Sequence, residues 1–303
     1  MATRTVPIKQ VPQVERSTST AFWQRLRRNP VGMFSLVVVV LLTLAALIGP
    51  ELYPISSTKT DFGHINNLPS LLHPLGTDRL GHDTLARLLA GLRVSLLVAL
   101  FVETLNIFLG VTLGLVAGYF GGWVDTLIAR LADMLFAFPG LLLAILVAAI
   151  FGQWITETYG DTARLLLVAG SLALVGWPLM ARFVRGQVLS LRERDFVLAA
   201  RAIGQRERGI LWNQMLPNVA GLVITAATLD VVNVVVGEAT LSLLGLGIQS
   251  PQTSIGKMIV EATPYLAQNG FLVLVPALTL VVIVLSFSFL GDALRDAFDP
   301  RGR

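Results

Sequence analysis

The sequence predicts an all-α polytopic membrane protein with six transmembrane helices. Two observations carry that reading: the composition, and the spacing of long apolar runs. Of 303 residues, 54% are hydrophobic and only 14% are charged, whereas soluble chains carry about 25% charged residues. A mean hydropathy of +0.72 leaves too little polar surface to clothe a water-soluble core. This balance excludes a disordered chain and a soluble enzyme. The absence of cysteine also excludes a disulfide scaffold, a thiolate metal site and a thiol nucleophile.

Six apolar runs are each long enough to cross a bilayer, which takes about 20 residues as a helix. The first, Val31–Ile48, lies in a charge-free stretch between Pro30 and Pro50. It starts too far into the chain, and lacks the small-residue cleavage site, to be a cleaved signal peptide. The second, about Ser95–Ala117, holds one charge, Glu103. The third and fourth, about Leu135–Phe151 and Leu165–Ala181, hold none. The fifth, Val219–Ile248, carries Asp230, Asn233 and Glu238, and the sixth, Phe271–Leu290, is uncharged. The runs are continuous rather than alternating, so barrel strands are not expected.

Lys and Arg in the connections set the orientation. With the N-terminus inside, the connection after the fourth run alone collects Arg182, Arg185, Arg192, Arg194, Arg201, Arg206 and Arg208. The outer connections hold only Lys59, Arg79, Arg87, Arg93, Arg164 and Lys257 of the 23 basic residues. A bias of roughly three to one places both termini in the cytoplasm. The +4 net charge is therefore a topology signal, and no nucleic-acid partner is expected. The chain divides into an N-terminal tail (1–30), a first span with an extracytoplasmic segment (31–94), a five-helix core (95–291) containing a cytoplasmic loop (182–217), and a C-terminal tail (292–303). The polar stretch up to Thr20, with Pro7 and Pro12, is expected to be disordered. Phe22–Arg28 reads as a short amphipathic lead-in on the inner surface.

The extracytoplasmic segment contains all three histidines, His64, His73 and His82, with Asp61, Asp78 and Asp83 nearby. Such clusters can bind metal, but their even nine-residue spacing matches no compact ligand pattern. A surface segment with capping, hydrogen-bonding histidines is the expectation, with no metal site.

The inner connection is the most informative stretch. Asp195 is a candidate N-cap for a helix Phe196–Ile203, and Gly204 a candidate C′ residue ending it. A second helical segment, Gln205–Met215, closes against Leu216-Pro217. The apolar positions Val197, Ala200, Ile203, Ile210 and Trp212 require either a partner surface or burial under the bundle. Spacing leaves both open.

Leu198-Ala199-Ala200, three residues, Gly204, nine residues, then Gln214-Met215-Leu216-Pro217 resembles the EAA loop of ABC importer permeases. Leu198 and Gln214 depart from it, standing where that loop has Glu and Ile. The string DFVLAARAIG (Asp195–Gly204) strengthens the likeness, as do His73–Leu96, GYFGGWVD (Gly118–Asp125), GEATLSLLGLGIQ (Gly237–Gln249) and GDALRDAFDPR (Gly291–Arg301). Together, in this order, they resemble the second of two paralogous permeases in the dipeptide/oligopeptide/nickel importer family, over about Ala21 to Arg301.

The resemblance implies a type I ABC importer permease fold. It also implies a paralogous permease as partner, two cytoplasmic ATPases, an extracytoplasmic substrate-binding protein, and peptides as cargo, dipeptides first, with nickel chelates or another small solute as the alternative. ATP and Mg2+ would belong to the ATPases: this chain has no GxxxxGK[ST] phosphate loop and is expected to bind no cofactor and to be no enzyme. Carried over by position, Asp195, Leu198, Ala199, Ala200, Arg201, Gly204, Leu216 and Pro217 would form the ATPase-coupling loop, with the small residues at a close contact and Leu216-Pro217 ending the unit. If Asp195 is the N-cap, Leu198 occupies N3, where Glu would complete a capping box. Its loss costs on the order of 1 kcal/mol or less.

Polar groups inside spans are expensive and usually functional. On a helical wheel with Asp230 at zero, Asn233 falls at about 300°, Gly237 at about 340°, Thr240 at about 280° and Glu238 at about 80°. Asp230, Asn233 and Glu238 are therefore candidate pathway-lining residues, with interhelical hydrogen bonding as the competing role. Glu103 and Asn106, three apart on the second run, read as packing companions. A stand-alone secondary transporter should show inverted repeats, and none is evident. An intramembrane enzyme should show a nucleophile–base pair or metal motif within the spans, and none is present.

Overall fold

A computed structural model describes residues 18–299, all helix, turn and loop apart from two isolated bridges. The expected N-terminal disorder lies outside the described residues as far as residue 17, as does the tail beyond Asp299; Thr18–Thr20, expected to be disordered, instead open the first helix. Six helices among them are long and apolar enough to cross a membrane. They are α2 (Pro30–Leu52), α3 (Thr84–Phe120), α5 (Gly140–Tyr159), α6 (Asp161–Leu191), α9 (Leu216–Leu243, continuing a shorter helical segment from Glu207) and α11 (Phe271–Phe298). Since spans alternate in direction, the 192–215 connection and both described ends share one end of the bundle. Residues 53–83 and 244–270 share the other.

The lead-in helix exists as α1 (Thr18–Arg28). Its Leu26 is buried among Ala293 and Ala297 of α11, Phe22 stacks on Phe298 with centroids 4.4 Å apart, and Arg25 donates to the Asp299 carbonyl at 2.6 Å. Asn29 caps α2 by accepting from the Gly32 amide at 3.0 Å.

Several boundaries differ from the hydropathy reading, each for a local reason. The second span begins eleven residues early, at Thr84 rather than Ser95, because Asp83 caps it by accepting from the Ala86 amide at 2.7 Å. Its two early arginines are neutralised: Arg87 pairs with Asp78 and Glu261, and Arg93 with Glu51. The third run is split. Its first residues end a separate helix, α4 (Gly122–Phe136), and the span starts after Pro139, consistent with proline's disfavour of helix in the preceding residue. On α4, Asp125 and Asp133 pair with Arg185 and Arg182 of α6. The Arg185 hydrogen bonds hold the Asp125 carboxyl below the usual carboxylate range. The fifth run turns at Gly245 (φ 74°) before Ile248, and α10 (Ile255–Ala262), absent from the sequence reading, packs beside α9 and α11.

The core is built on the α3–α6 pair, which has the most extensive packing in the bundle. Gly110, Gly114 and Gly118 form a stripe at helical spacing on α3. A Cβ at Gly110 would lie 2.6 Å from Met180 Cβ, at Gly114 2.7 Å from the Ala181 carbonyl, and at Gly118 2.8 Å from Val188 Cβ. With no Cβ, the two backbones approach closely, the packing mode favoured where lipid supplies no hydrophobic drive between helices. At the periphery, α2 turns Phe34 and Leu41 outward.

Candidate functional site

The 192–215 connection is a folded unit seated on one end of the bundle. Helix α7 (Asp195–Ala202) directs Val197 and Ala200 inward, where they join a buried cluster with Val188, Leu191, Ile210, Leu211 and Met215. Arg201 places its guanidinium 4.9 Å from the centre of the Tyr119 ring on α3. The opposite face is bare. Ile203 is 83% exposed and Leu198 49%, with Phe196 and Trp212 also exposed. Of the two fates open to the apolar positions, Val197, Ala200 and Ile210 take burial, while Ile203 and Trp212 remain uncovered. Ala199 is exposed and Ala200 is packed against this chain's own core.

Gly204 ends α7 as expected. Its φ is 76°, its amide donates to the Arg201 carbonyl at 3.0 Å, and the Gln205 amide donates to the Ala200 carbonyl at 3.0 Å. These are the two bonds of a Schellman cap.

One detail of the expected unit is corrected. The N-cap is Arg194, with no side-chain capping bond, and Asp195 is the first helical residue, exposed to solvent. Counting from there, Leu198 is N4, so no capping box is lost by the absence of Glu. Asp195 instead sets its charge against the helix N-terminus. The unit ends at Leu216-Pro217, where α9 begins, but without a break in the helix. After the short α8 (Glu207–Gly209), a π-helical stretch, Ile210–Met215, runs straight into α9 with Pro217 in its first turn. The wide turn closes through the Leu216 amide to the Leu211 carbonyl, and it accommodates a proline whose missing N–H and bulky ring a regular helix interior would not.

A cavity of about 420 Å³ opens between α5, α6 and α9. Most of its wall is apolar, including Phe136, Phe138, Leu172 and Val175, and its polar groups include Asp230, Asn233 and Thr240. Asp230 Oδ1 accepts from Asn233 Nδ2 at 2.9 Å, and Oδ2 accepts from Asn106 Nδ2 at 3.3 Å. Asn106 is buried on α3, with Glu103 buried one turn before it. A Cβ at Gly176 would sit 2.3 Å from Asn106 Nδ2, so glycine there lets α6 pass over the amide. The sequence reading of Asn106 as a packing residue captures its burial but not its link to Asp230.

Glu238 is placed elsewhere. It is 0% exposed and outside the cavity wall, accepting hydrogen bonds from Ser242 (2.8 Å) and Ser254 (2.7 Å) at Oε1 and from Ser95 (3.2 Å) at Oε2. Its position at about 80° on the wheel, against about 280–360° for the others, already sets it on the flank. The interhelical reading is the one its surroundings fit.

A family model described as "Binding-protein-dependent transport system inner membrane component" matches residues 110–303. The chain belongs to this family. A second model, "N-terminal TM domain of oligopeptide transport permease C", matches residues 17–69 of the permease. The glutathione transport system permease protein GsiD of Escherichia coli O6:K15:H31 (strain 536 / UPEC) is 36% identical to it over 301 residues, covering 99% of this chain and 96% of that one. GsiD of Shigella sonnei (strain Ss046) is 37% identical over 291 residues, covering 96% and 93%. The fold is shared with a chain of the MetNI methionine ABC transporter in an inward-facing conformation, at a TM-score of 0.53 and 18% identity, covering 70% of this chain and 96% of that one. The protein is therefore a multi-pass inner-membrane permease subunit of an ABC importer.

Proposed function

We propose that the permease imports small peptides of the dipeptide-to-tripeptide class. The likeness of nearly the whole chain to permeases named for glutathione, itself a small peptide, carries this reading. In it a paralogous permease completes the pathway, a binding protein delivers the peptide from outside, and two cytoplasmic ATPases supply the energy with their own ATP and Mg2+. The basic connections support a cytoplasmic position for both termini and for the 192–215 unit. The chain itself then carries out no hydrolysis.

The division into a tail (1–30), first span with outer segment (31–94), core (95–291) and C-terminal tail (292–303) serves this arrangement. The coupling surface consists of Leu198 and Ile203, backed by Ala199 and by Asp195 at the helix start. Ala200, Arg201 and Gly204 hold α7 rigidly on the bundle, and Leu216 with Pro217 carries its movement into α9. Asp230 and Asn233 form the polar part of the pathway wall, and offer an acceptor and an amide to the charged ends of a peptide. Reconstitution of the complete transporter tests the reading: ATP-dependent uptake of labelled dipeptide or glutathione, lost when the ATPases or the binding protein are omitted, is the expected result. Uptake by this chain alone would refute it.

A further inference from the structure

The outer segment between α2 and α3 runs for about thirty residues with hardly any core of its own. Phe62, Leu68, Leu71 and Leu72 are all exposed. Its regular pairing is limited to the bridges Thr60–His82 and Thr77–Asp83. Segments of this size that bury little apolar surface usually need a staple, such as a disulfide or a metal. Cysteine is absent from the chain.

Inside this segment the fold brings together three side chains that spacing alone kept apart. One ligand atom from each of Asp61, His64 and His73 lies within 4.8 Å of the others. Asp61 Oδ2 is 2.9 Å from His64 Nδ1 and 3.7 Å from His73 Nε2. Those distances bracket the roughly 3.4 Å edge of a tetrahedron whose bonds are about 2.0–2.2 Å long, as for zinc with nitrogen and carboxylate ligands.

His73 is only 4% exposed, and its Nε2 is buried without a hydrogen-bond partner. Such an atom is costly unless something occupies its lone pair. On the other side of the ring, Nδ1 lies 2.8 Å from Asp83 Oδ2. A carboxylate has no proton to donate, so Nδ1 is the donor to Asp83 and Nε2 is left as a free acceptor on the Asp61 side of the ring. A carboxylate behind a histidine in this way is the arrangement that orients metal-ligating imidazoles. The remaining supports are equally fixed. Asp61 Oδ1 accepts from the Gly63 amide at 2.9 Å, the Asp61 amide donates to the Gly81 carbonyl at 2.9 Å, and Tyr53 donates to Asp83 at 3.0 Å.

We propose that Asp61, His64 and His73 form a binding site for a divalent transition-metal ion of the zinc class, which clamps the outer segment. The set is two imidazoles and one carboxylate, with Asp83 orienting His73. Three protein ligands leave one position for water on the solvent side, where the His64 side chain is 47% exposed. The ion joins residues from both sides of the apolar stretch 65–72 and completes the segment's fold. This inference is independent of the cargo.

Calorimetric titration of ZnCl2 into the full-length, untagged, chelator-stripped permease in detergent tests it, with hydrogen exchange over residues 61–73 as a second readout. Saturable binding of one Zn2+ per chain and slowed exchange are expected. His64→Ala, at an exposed side chain that is tolerated by the fold, should abolish both effects, as should Asp61→Ala. Asp83→Asn, which retains a capping side chain for α3, should weaken binding about 10–100-fold. His82→Ala, on the Asp78 side of the segment, should bind as the unaltered protein does. Absence of saturable binding, or binding unchanged in both His64→Ala and Asp61→Ala, overturns the proposal.

Discussion

Glu238 on α9 and Ser254, sixteen residues later at the cap of α10, are joined by a 2.7 Å hydrogen bond. The same carboxylate takes hydroxyls from Ser95 and Ser242, and Ser254 Oγ also accepts from the Lys257 amide. One buried side chain thus fastens α3, α9 and the start of α10. Glu238→Leu strands three hydroxyls, at about 1–3 kcal/mol for each buried group left unsatisfied. A lower Tm in detergent and faster hydrogen exchange across 244–262 are expected. Glu238→Gln retains a carbonyl acceptor and should lose much less. Equal stability of Glu238→Leu and the unaltered protein would contradict the assignment.

The glycine stripe makes a similar contrast. Gly114→Ala places a methyl group against the Ala181 carbonyl and Val184, and overpacking of this kind costs about 1–3 kcal/mol. Gly186 faces open space, so Gly186→Ala should be neutral or slightly stabilising. Thermal unfolding of the two variants side by side checks the difference.

The two faces of α7 should fail differently. Ile203→Asp and Leu198→Asp alter only exposed positions, so membrane assembly should persist while uptake falls roughly tenfold or more, equivalent to about 1.4 kcal/mol of lost coupling. Val197→Asp buries a charge in the bundle and should reduce the amount of folded protein. Gly204→Ala has room for its methyl group but keeps a positive φ, a strain of about 1–2 kcal/mol. Gly204→Glu should insert normally and abolish transport. Uptake at normal levels in Ile203→Asp would remove the outer face from the coupling role.

At the cavity, Asp230→Ala removes the acceptor for Asn233 and Asn106 together. Peptide uptake should fall roughly tenfold or more, at about 1.5–3 kcal/mol for a lost bond to a charged group, with ATPase association unchanged. Asp230→Asn should retain part of the activity. Unchanged kcat and KM in Asp230→Ala would exclude it from the pathway.

The spans, the exposed unit and its glycine stop were legible because each rests on a local signal: apolar length, or a glycine at the end of a short periodic segment. Helix α4 was not, because Asp125, Arg130 and Asp133 interrupt its apolar run, and the pairing of Asp125 and Asp133 with α6 permits it to lie against the bundle. The register of α7 was displaced by one residue because Asp195 resembles a cap in sequence, while the backbone turns at Arg194. The histidine cluster was hidden for a different reason. Nine-residue spacing is uninformative when the chain turns back between the two histidines: Asn66 takes a φ of 54°, and the His64 and His73 rings end 5.6 Å apart. Asp83, ten residues from His73, is the signal that could have indicated it.

In the proposed importer, the bare face of the 192–215 unit seats on an ATPase. The chain has no cysteine, so an Ile203→Cys variant carries a single thiol. In membranes containing the whole transporter, a short bismaleimide should join that variant to an ATPase subunit bearing cysteine in its receiving groove, in a yield that changes with ATP. Leu71→Cys, at the opposite end of the bundle, should give no such adduct. Absence of an ATPase adduct from Ile203→Cys, Leu198→Cys and Trp212→Cys in a complex that still transports would contradict the account.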